Sequence, residues 1–244
     1  RLTHGLIQNA VGMDFFRELS GRRMFNELQL ILQEENPSAA VARLNDFGLL
    51  KMAHPALSCD KQVIALLNAV RQVVAWHDLL FLDESYMKWA VYFLAVIHRC
   101  TRPQAQEICR RLELTPRQEA LCVTGRTKAL ESLHWLIRHL PVDNSTLHHR
   151  LAGLRTELIL FMMAATEHEK VKKAISLYFT NLRRVSISLR GADLKRLGVS
   201  PGPIFREVFQ AVFDAKLNGR VESYEDELAF ARAHLHARGC GLNA

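Results

Sequence analysis

Helix-start signals recur along this chain and constrain its fold more than any other feature. The segments 101–104 and 115–118 each read Thr-x-x-Gln, 166–169 reads Thr-x-x-Glu, and 223–226 reads Ser-x-x-Asp. In this capping box, the first and last side chains satisfy backbone N–H groups at the start of a helix. No alternating run of β-branched residues lies between turn residues, as a strand would require. The sequence therefore predicts an all-α fold, a multi-helix array with short connections and no β-sheet.

Apolar spacing and cap residues place the individual helices. Residues 13–19 continue a helical spacing, and residues 49–57 are predicted to form a turn. Three of the longer helices are predicted at 116–140, 146–165 and 167 to about 184. The remaining helices are predicted at 20–34, 37 to about 48, 59–82, 85–99, 103–112, 205–217 and 223 to about 236.

The composition excludes several classes of protein. The 244 residues are 49% hydrophobic, enough to bury a full core, yet the longest apolar runs are far shorter than the roughly 20 residues of a spanning helix. The five cysteines are odd in number and have no Cys-x-x-Cys spacing, which argues against a disulfide framework and a zinc site. We therefore expect a cytoplasmic protein with no membrane span.

Positive charge is concentrated in one segment. The chain has a net charge of +7, and residues 170–196 hold eight basic side chains against one acid, Asp193. Within a continuous helix the pairs 172–173 and 183–184 would lie roughly 16 Å apart on nearly the same side. Such clustering favours contact with a nucleic-acid backbone, and a solvated helix face is the alternative interpretation.

Residues 191–204 predict two helices separated by a tight turn. Gly198 suits the left-handed position that ends a helix, and Ser200 with Pro201 suits the start of the next. Pro201 and Pro203 lack amide hydrogens, so Gly202 offers one of the few free donors at this helix start. A phosphate group is a fitting acceptor, and a plain helix start is the alternative.

The same residues resemble the tail of the class II tRNA nucleotidyltransferase and poly(A) polymerase family. The matching positions are Gly191-x-Asp193-Leu194, Leu197-Gly198, Pro201-Gly202-Pro203 and the segment 222–228. A second match, Leu19-Ser20-Gly21-Arg22-Arg23-x-x-x-Glu27-Leu28, is similar to the family's neck motif S-G-E-R-x-x-x-E-L. Arg22 departs from that motif, since relatives carry a glutamate there.

This resemblance implies a division of labour. The family's catalytic head carries an Asp-x-Asp pair that holds metal ions at a triphosphate, and this sequence contains no such pair. We therefore expect the C-terminal part of a longer enzyme: the end of the neck (1–35), a helical body (36–165) and a basic helix with an RNA-binding tail (166–244). Mg²⁺ and ATP, with CTP as a further candidate, would bind the missing head, and this part alone would be inactive.

The resemblance also implies a partner and a set of contacts. A tRNA or another RNA 3′ end would be gripped through its acceptor and TΨC arms, and the protein's own N-terminal head would be the second partner. The candidate RNA-binding residues are Arg22, Arg23, Lys172, Lys173, Arg183, Arg184, Lys195, Arg196, Gly202 and Arg206. Residues that shape the two motifs are Ser20, Glu27, Gly191, Asp193, Gly198, Pro201 and Pro203.

Two other functions compete with this one. The basic face could meet an acidic protein partner, which would make the chain a helical interaction scaffold. Residues 193–217 also resemble two helices joined by a tight turn, as in a DNA-binding regulator. Against the regulator, the second helix begins Pro-Gly-Pro and turns large apolar residues inward.

Overall fold

The computed structural model describes residues 19–238, whose regular structure is entirely helical, and the predicted all-α fold is confirmed. The predicted helical spacing at 13–18 lies outside this range. In chain order the helices are α1 (Gly21–Ile31), α2 (Pro37–Asp46), α3 (Leu49–Ala53), α4 (Lys61–Asp78), α5 (Lys88–Val96), α6 (Arg102–Arg111), α7 (Pro116–Ala120), a π-helical turn (Leu121–Gly125), α8 (Arg126–His139), α9 (Asn144–Ala152), α10 (Thr156–Ala164), α11 (Glu169–Thr180), a 3-10 turn (Leu182–Arg184), α12 (Gly191–Arg196), α13 (Pro203–Leu217) and α14 (Tyr224–Ala237).

The chain divides into two compact units that are interleaved in sequence. Unit 1 comprises residues 1–138 and 154–172, and unit 2 comprises residues 139–153 and 173–244. The basic segment is therefore shared between them, since Lys172 belongs to unit 1 and the basic residues that follow belong to unit 2.

Unit 1 is built around helix α5. Every residue of α5 after Lys88 is buried, because α4 and α10 pack against it and their apolar side chains enclose it. Helix α1 docks on the same core through Phe25, whose ring lies 5.1 Å from that of Trp89 in an edge-to-face arrangement. Such aromatic pairs add about 1 kcal/mol to the free energy gained from burial.

Two buried charges close the ends of α5. Arg126 donates hydrogen bonds to the carbonyl oxygens of Ile97 and Cys100, both at 2.8 Å, at the end of the helix. At its start, the Glu157 carboxylate accepts the Met87 N–H at 3.0 Å. Each charge has the sign that the helix dipole favours at that end. Two ionic groups in the interior of unit 1 thus form hydrogen bonds with backbone groups at the two ends of its central helix.

Unit 2 has a core of its own. The second half of α14, the middle of α13 and helix α12 converge on it through apolar side chains that are almost wholly buried. Its buried members are Leu189, Leu194, Val208, Val212, Ala231 and Leu235. Helix α9 joins the unit through side-chain hydrogen bonds, since Asn144 donates to the Leu217 carbonyl at 3.0 Å and Asn218 accepts from the Ser145 N–H at 3.0 Å.

Several predicted helix bounds differ from the structure, among them one helix that is broken, one that is added and one that ends early. The predicted helix 146–165 is broken into α9 and α10 at Gly153, where the chain passes from one unit to the other. The predicted turn at 49–57 contains the short helix α3, which starts after Gly48 in a left-handed conformation (φ 75°). Helix α11 ends at Thr180 rather than near Arg184.

Most cap predictions are confirmed. Thr101–Gln104 and Thr115–Gln118 form capping boxes with both reciprocal hydrogen bonds, and Ser223 with Asp226 forms another at α14. The box predicted at Thr166 is wrong, because its hydroxyl accepts the N–H of His168 in a turn before α11. Within residues 19–238, no helix is both long and apolar enough to cross a membrane.

Candidate nucleic-acid interface

The Ser20-Gly21 motif fixes the start of α1 by an unusually close backbone approach. Ser20 caps the helix by accepting the Arg23 N–H at 3.3 Å, and the Gly21 N–H donates to Glu113 at 3.0 Å. A Cβ at Gly21 would lie 1.9 Å from the Arg111 carbonyl oxygen, so no larger residue fits without a backbone shift. The motif therefore docks α1 onto the end of α6.

The charged positions of the same motif face outward. Arg23 and Glu27 are exposed and Arg22 is half-buried, so the arginine that replaces the family's glutamate is accessible. Lys172, the last basic candidate of unit 1, is already held by an ion pair with Glu169 at 3.0 Å. Of these candidates, Arg22 and Arg23 are the more available for a ligand.

The predicted alignment of two basic pairs along one helix is wrong. The Thr180 hydroxyl donates to the Ser176 carbonyl and to the Asn181 side chain, and such local bonds compete with continuation of the helix. Arg183 and Arg184 therefore lie in the 3-10 turn that follows, and helical periodicity does not relate them to Lys173. Arg183 is also occupied, because its guanidinium stacks 5.5 Å above the Phe179 ring.

Helix α12 has well-defined ends. At its start the Asp193 carboxylate accepts the Arg190 N–H at 2.8 Å, and this bond is the main reason that the pKa of Asp193 lies below its usual value. At its end Gly198 is left-handed (φ 82°), and the Val199 N–H returns to the Leu194 carbonyl at 3.1 Å. This is the glycine-closed helix end that the sequence predicts.

The next helix starts two residues later than predicted. Gly202 is the N-cap of α13 and Pro203 is its first residue, so the assignment of Ser200 as the cap is wrong. A residue that precedes proline is kept out of the helical conformation, and Gly202 is accordingly extended (φ 174°). Pro201 lies in the preceding turn, and the Gly202 N–H has no hydrogen-bond partner among residues 19–238.

Most basic candidates of unit 2 are open to solvent. Lys173, Arg184, Lys195 and Arg206 are exposed, and none forms an ion pair with a described residue. Arg196 is exposed as well, with a guanidinium nitrogen 3.5 Å from Asp193. The unit therefore presents unpaired positive charge on α11, on the 3-10 turn, on α12 and at the start of α13.

Gly191 makes no close steric contact of the kind seen at Gly21. A Cβ at this position would make an ordinary contact, 3.6 Å from the Phe205 ring. The structure therefore gives no steric reason for glycine here.

A buried carboxylate that the sequence interpretation missed holds the segment before α12. Glu227 is 0% exposed, and one of its oxygens accepts the N–H groups of Ser188 and Leu189, both at 2.8 Å. Its other oxygen pairs with Lys216. In the sequence Glu227 is one of three consecutive acids near the start of the helix predicted from 223, and no local pattern distinguishes it from its exposed neighbours Glu225 and Asp226.

The residues present do not fit a metal site. Among residues 19–238, no three His, Cys, Asp or Glu side chains come together in a way that could hold a metal ion. The four described cysteines, Cys59, Cys100, Cys109 and Cys122, are buried free thiols.

Sequence comparison connects the chain to known proteins. Residues 14–60 match the family model "Probable RNA and SrmB-binding site of polymerase A". The chain is 36% identical over 235 residues to an A-adding tRNA nucleotidyltransferase of Geobacter sulfurreducens, covering 95% of the chain and 27% of that protein. An A-adding tRNA nucleotidyltransferase of Aquifex aeolicus is 24% identical, over 82% of the chain and 24% of that protein. The chain thus spans about a quarter of the length of these relatives.

Structural comparison shows the same fold. The Thermotoga maritima CCA-adding enzyme complexed with tRNA superimposes with a TM-score of 0.75 at 21% identity, over 96% of this chain and 56% of that one. A CCA-adding enzyme complexed with ATP gives 0.72 at 22% identity, over 100% of this chain and 57% of that one.

Proposed function

Because this chain belongs to the class II tRNA nucleotidyltransferase and poly(A) polymerase family, we propose that it grips the RNA whose 3′ end the intact enzyme extends. Unit 2 binds the phosphate backbone of a tRNA acceptor and TΨC arm, and the catalytic head lies elsewhere in the intact protein. The neck, body and tail divide near residues 35 and 165 in this proposal.

The observation that carries this proposal is the open positive charge of unit 2. Lys173, Arg184, Lys195 and Arg206 have no carboxylate partner among the described residues, so an RNA phosphate can bind them without displacing an ion pair. Arg183 and Lys172 contribute less, since both already have partners. Contacts of this kind position a duplex without reading its sequence.

A DNA-binding regulator is less well supported by the same helices. Of the residues of α13, only Pro203, Arg206 and Gln210 are exposed, and Gln210 is hydrogen-bonded to His149 and Asp214. A recognition helix needs several side chains that reach base edges. Helix α13 offers one free cation at its start, which suits a backbone contact.

Nucleotidyl transfer is assigned to the head. Mg²⁺ and ATP, with CTP as a further candidate, would bind there, because this sequence has no Asp-x-Asp pair. Arg22 and Arg23, on the exposed side of the motif that starts α1, are proposed to contact the RNA or the head. The chain alone is accordingly expected to bind RNA and to incorporate no nucleotide.

A binding experiment tests the proposal. The affinity of the chain for an acceptor–TΨC minihelix and for a DNA duplex of equal length is measured at two salt concentrations. The quadruple variant Lys173→Ala/Arg184→Ala/Lys195→Ala/Arg206→Ala should lose most of the minihelix affinity, and the wild type should prefer RNA and bind more weakly as salt rises.

A matched control separates local contacts from net charge. The variant Lys61→Ala/Arg71→Ala/Arg117→Ala/Lys128→Ala removes the same charge from exposed positions of unit 1 and should bind nearly as the wild type. Equal losses in the two quadruple variants, or no preference for RNA over DNA, would refute the proposed grip.

Gly202 allows a sharper test. An added Cβ there would meet no protein atom closer than 4.0 Å, so Gly202→Ala should leave stability unchanged. If a phosphate approaches the Gly202 N–H closely, the methyl group should weaken minihelix binding several-fold. Wild-type affinity in this variant would remove Gly202 from the site.

A further inference from the structure

The segment between the 3-10 turn and α12 alternates exposed and covered side chains. Arg184, Ser186, Ser188 and Arg190 are exposed, whereas Val185, Ile187 and Leu189 are half-buried or buried. The segment has no helical structure, and its ends at Val185 and Arg190 have extended backbone conformations. Three polar side chains, Ser186, Ser188 and Arg190, therefore emerge on one side of a non-helical stretch that directly follows Arg184, the last residue of the 3-10 turn.

Buried contacts hold this segment in place. Ile187 and Leu189 pack on the core of unit 2, and the Ser188 and Leu189 N–H groups donate to Glu227. The side chains of Arg184, Ser186 and Ser188, by contrast, form no hydrogen bond or ion pair with a described residue, and the exposed Arg190 guanidinium interacts with the Asp193 carboxylate only through its charge. Ordered backbone beneath unengaged polar side chains lowers the entropic cost of binding a ligand.

We propose that Arg184, Ser186, Ser188 and Arg190 form a phosphate-binding ladder that follows one strand of the bound RNA. This inference rests on the proposed function and extends it to Ser186, Ser188 and Arg190. Two cations flank two hydroxyl groups, and both groups bind phosphate oxygens without regard to base identity.

The dimensions of the segment suit a single strand. Alternate residues are at most about 7 Å apart, and Arg184 and Arg190 at most about 20 Å apart, in an extended chain. That length lets the ladder meet several successive phosphates. A protein partner with an acidic surface would be the alternative ligand, and a preference for RNA over such a polyanion separates the two.

The experiment measures minihelix affinity of the whole chain over a series of salt concentrations. In Arg190→Ala the slope of log affinity against log salt should become less negative by about one unit, as the loss of one phosphate contact requires. Ser186→Asp/Ser188→Asp should weaken binding by about tenfold or more, through repulsion of phosphate. The control Ser58→Asp/Ser85→Asp adds the same charge at exposed positions of unit 1 and should change affinity less than about twofold.

A conservative pair distinguishes contact from structure. Ser186→Thr/Ser188→Thr keeps both hydroxyl groups and should bind as the wild type, whereas Ser186→Ala/Ser188→Ala should bind several-fold more weakly. Equal affinities of the Thr and Ala pairs would overturn the hydroxyl contacts, and an unchanged salt slope in Arg190→Ala would overturn the ladder. Tighter binding of polyglutamate than of the minihelix would also overturn it.

The outcomes separate this inference from the proposed function. If the quadruple variant loses RNA binding while the serine and Arg190 variants bind normally, the ladder is wrong and the wider grip stands. If the wild type shows no preference for RNA, both are wrong.

Discussion

The buried pair of Glu227 and Lys216 predicts a specific loss of stability in unit 2. Glu227→Gln keeps an oxygen for the Ser188 and Leu189 N–H groups but removes the charge that faces Lys216. Removing one partner of a buried pair costs about 3–5 kcal/mol. The Lys216 side chain is 20% exposed, so water relieves part of this cost and we expect about 3 kcal/mol.

A double variant isolates the charge. In Glu227→Gln/Lys216→Met the uncompensated cation is gone, and the total cost should fall to about 1 kcal/mol. The second substitution should therefore restore about 2 kcal/mol, whereas independent sites would add their costs within a few tenths of a kcal/mol.

The assay can follow each unit separately. The three tryptophans, Trp76, Trp89 and Trp135, all lie in unit 1, so their fluorescence reports that unit alone. Amide hydrogen exchange at Ser188 and Leu189 reports unit 2, and a loss of 3 kcal/mol accelerates it roughly hundredfold when it proceeds by unfolding. The urea midpoint of the tryptophan signal should stay unchanged.

Two results would refute this reasoning. Exchange in Glu227→Gln within a factor of three of the wild type would mean that the pair contributes little. Equal exchange in the single and double variants would mean that the loss arises from the hydrogen bonds and not from the unpaired charge.

Three further predictions concern other sites. Gly21→Ala should lower the stability of unit 1 by about 2 kcal/mol or more, because its Cβ meets the backbone of Arg111; a tryptophan urea midpoint equal to that of the wild type would contradict this steric argument. Arg126→Met should cost unit 1 about 3 kcal/mol by the same measurement, since buried carbonyl groups lose their donors; a loss below about 1 kcal/mol would contradict the role of this arginine. The pKa of Asp193 is lower in the folded than in the unfolded state, so its carboxylate stabilises unit 2 above the unfolded-state pKa, near 4. This stabilisation is lost as pH falls through the folded-state pKa. Thermal melts of unit 2 below about pH 4 should show the loss in the wild type and less of it in Asp193→Asn.

The sequence predicts what local interactions determine. The capping boxes at 101–104, 115–118 and 223–226 form as predicted, because each is complete within four consecutive residues. The glycine-closed end of α12 is local in the same sense. Where two local signals compete, prediction is less secure: Pro203 excludes the helical conformation at Gly202, and this constraint displaces the cap expected at Ser200.

Contacts between distant residues could not be read from the sequence. Glu227 looks like a surface acid at the start of a helix, yet it binds backbone groups 38 and 39 residues away. Arg126 likewise meets carbonyl groups 26 and 29 residues away and resembles any charged residue of an amphipathic helix. Their roles depend on which elements pack together, and local periodicity carries no information on that.

For the candidate site too, the sequence identified the residues but not their arrangement. The basic residues were identified from charge density, and the structure shows which of them are exposed. Their arrangement was predicted from an unbroken helix, and it fails because Thr180 and Asn181 end that helix early. The RNA contacts themselves remain predictions.

The interleaving of the two units has a consequence for synthesis on the ribosome. Residues 139–153 emerge before residues 154–172, which complete unit 1, and their own partners in unit 2 begin only at residue 173. The apolar side of helix α9 therefore lacks its main packing partner until α13 has been synthesised. Translation that stalls between these points leaves a finished first unit and an orphaned helix, a species that chaperones would be expected to bind.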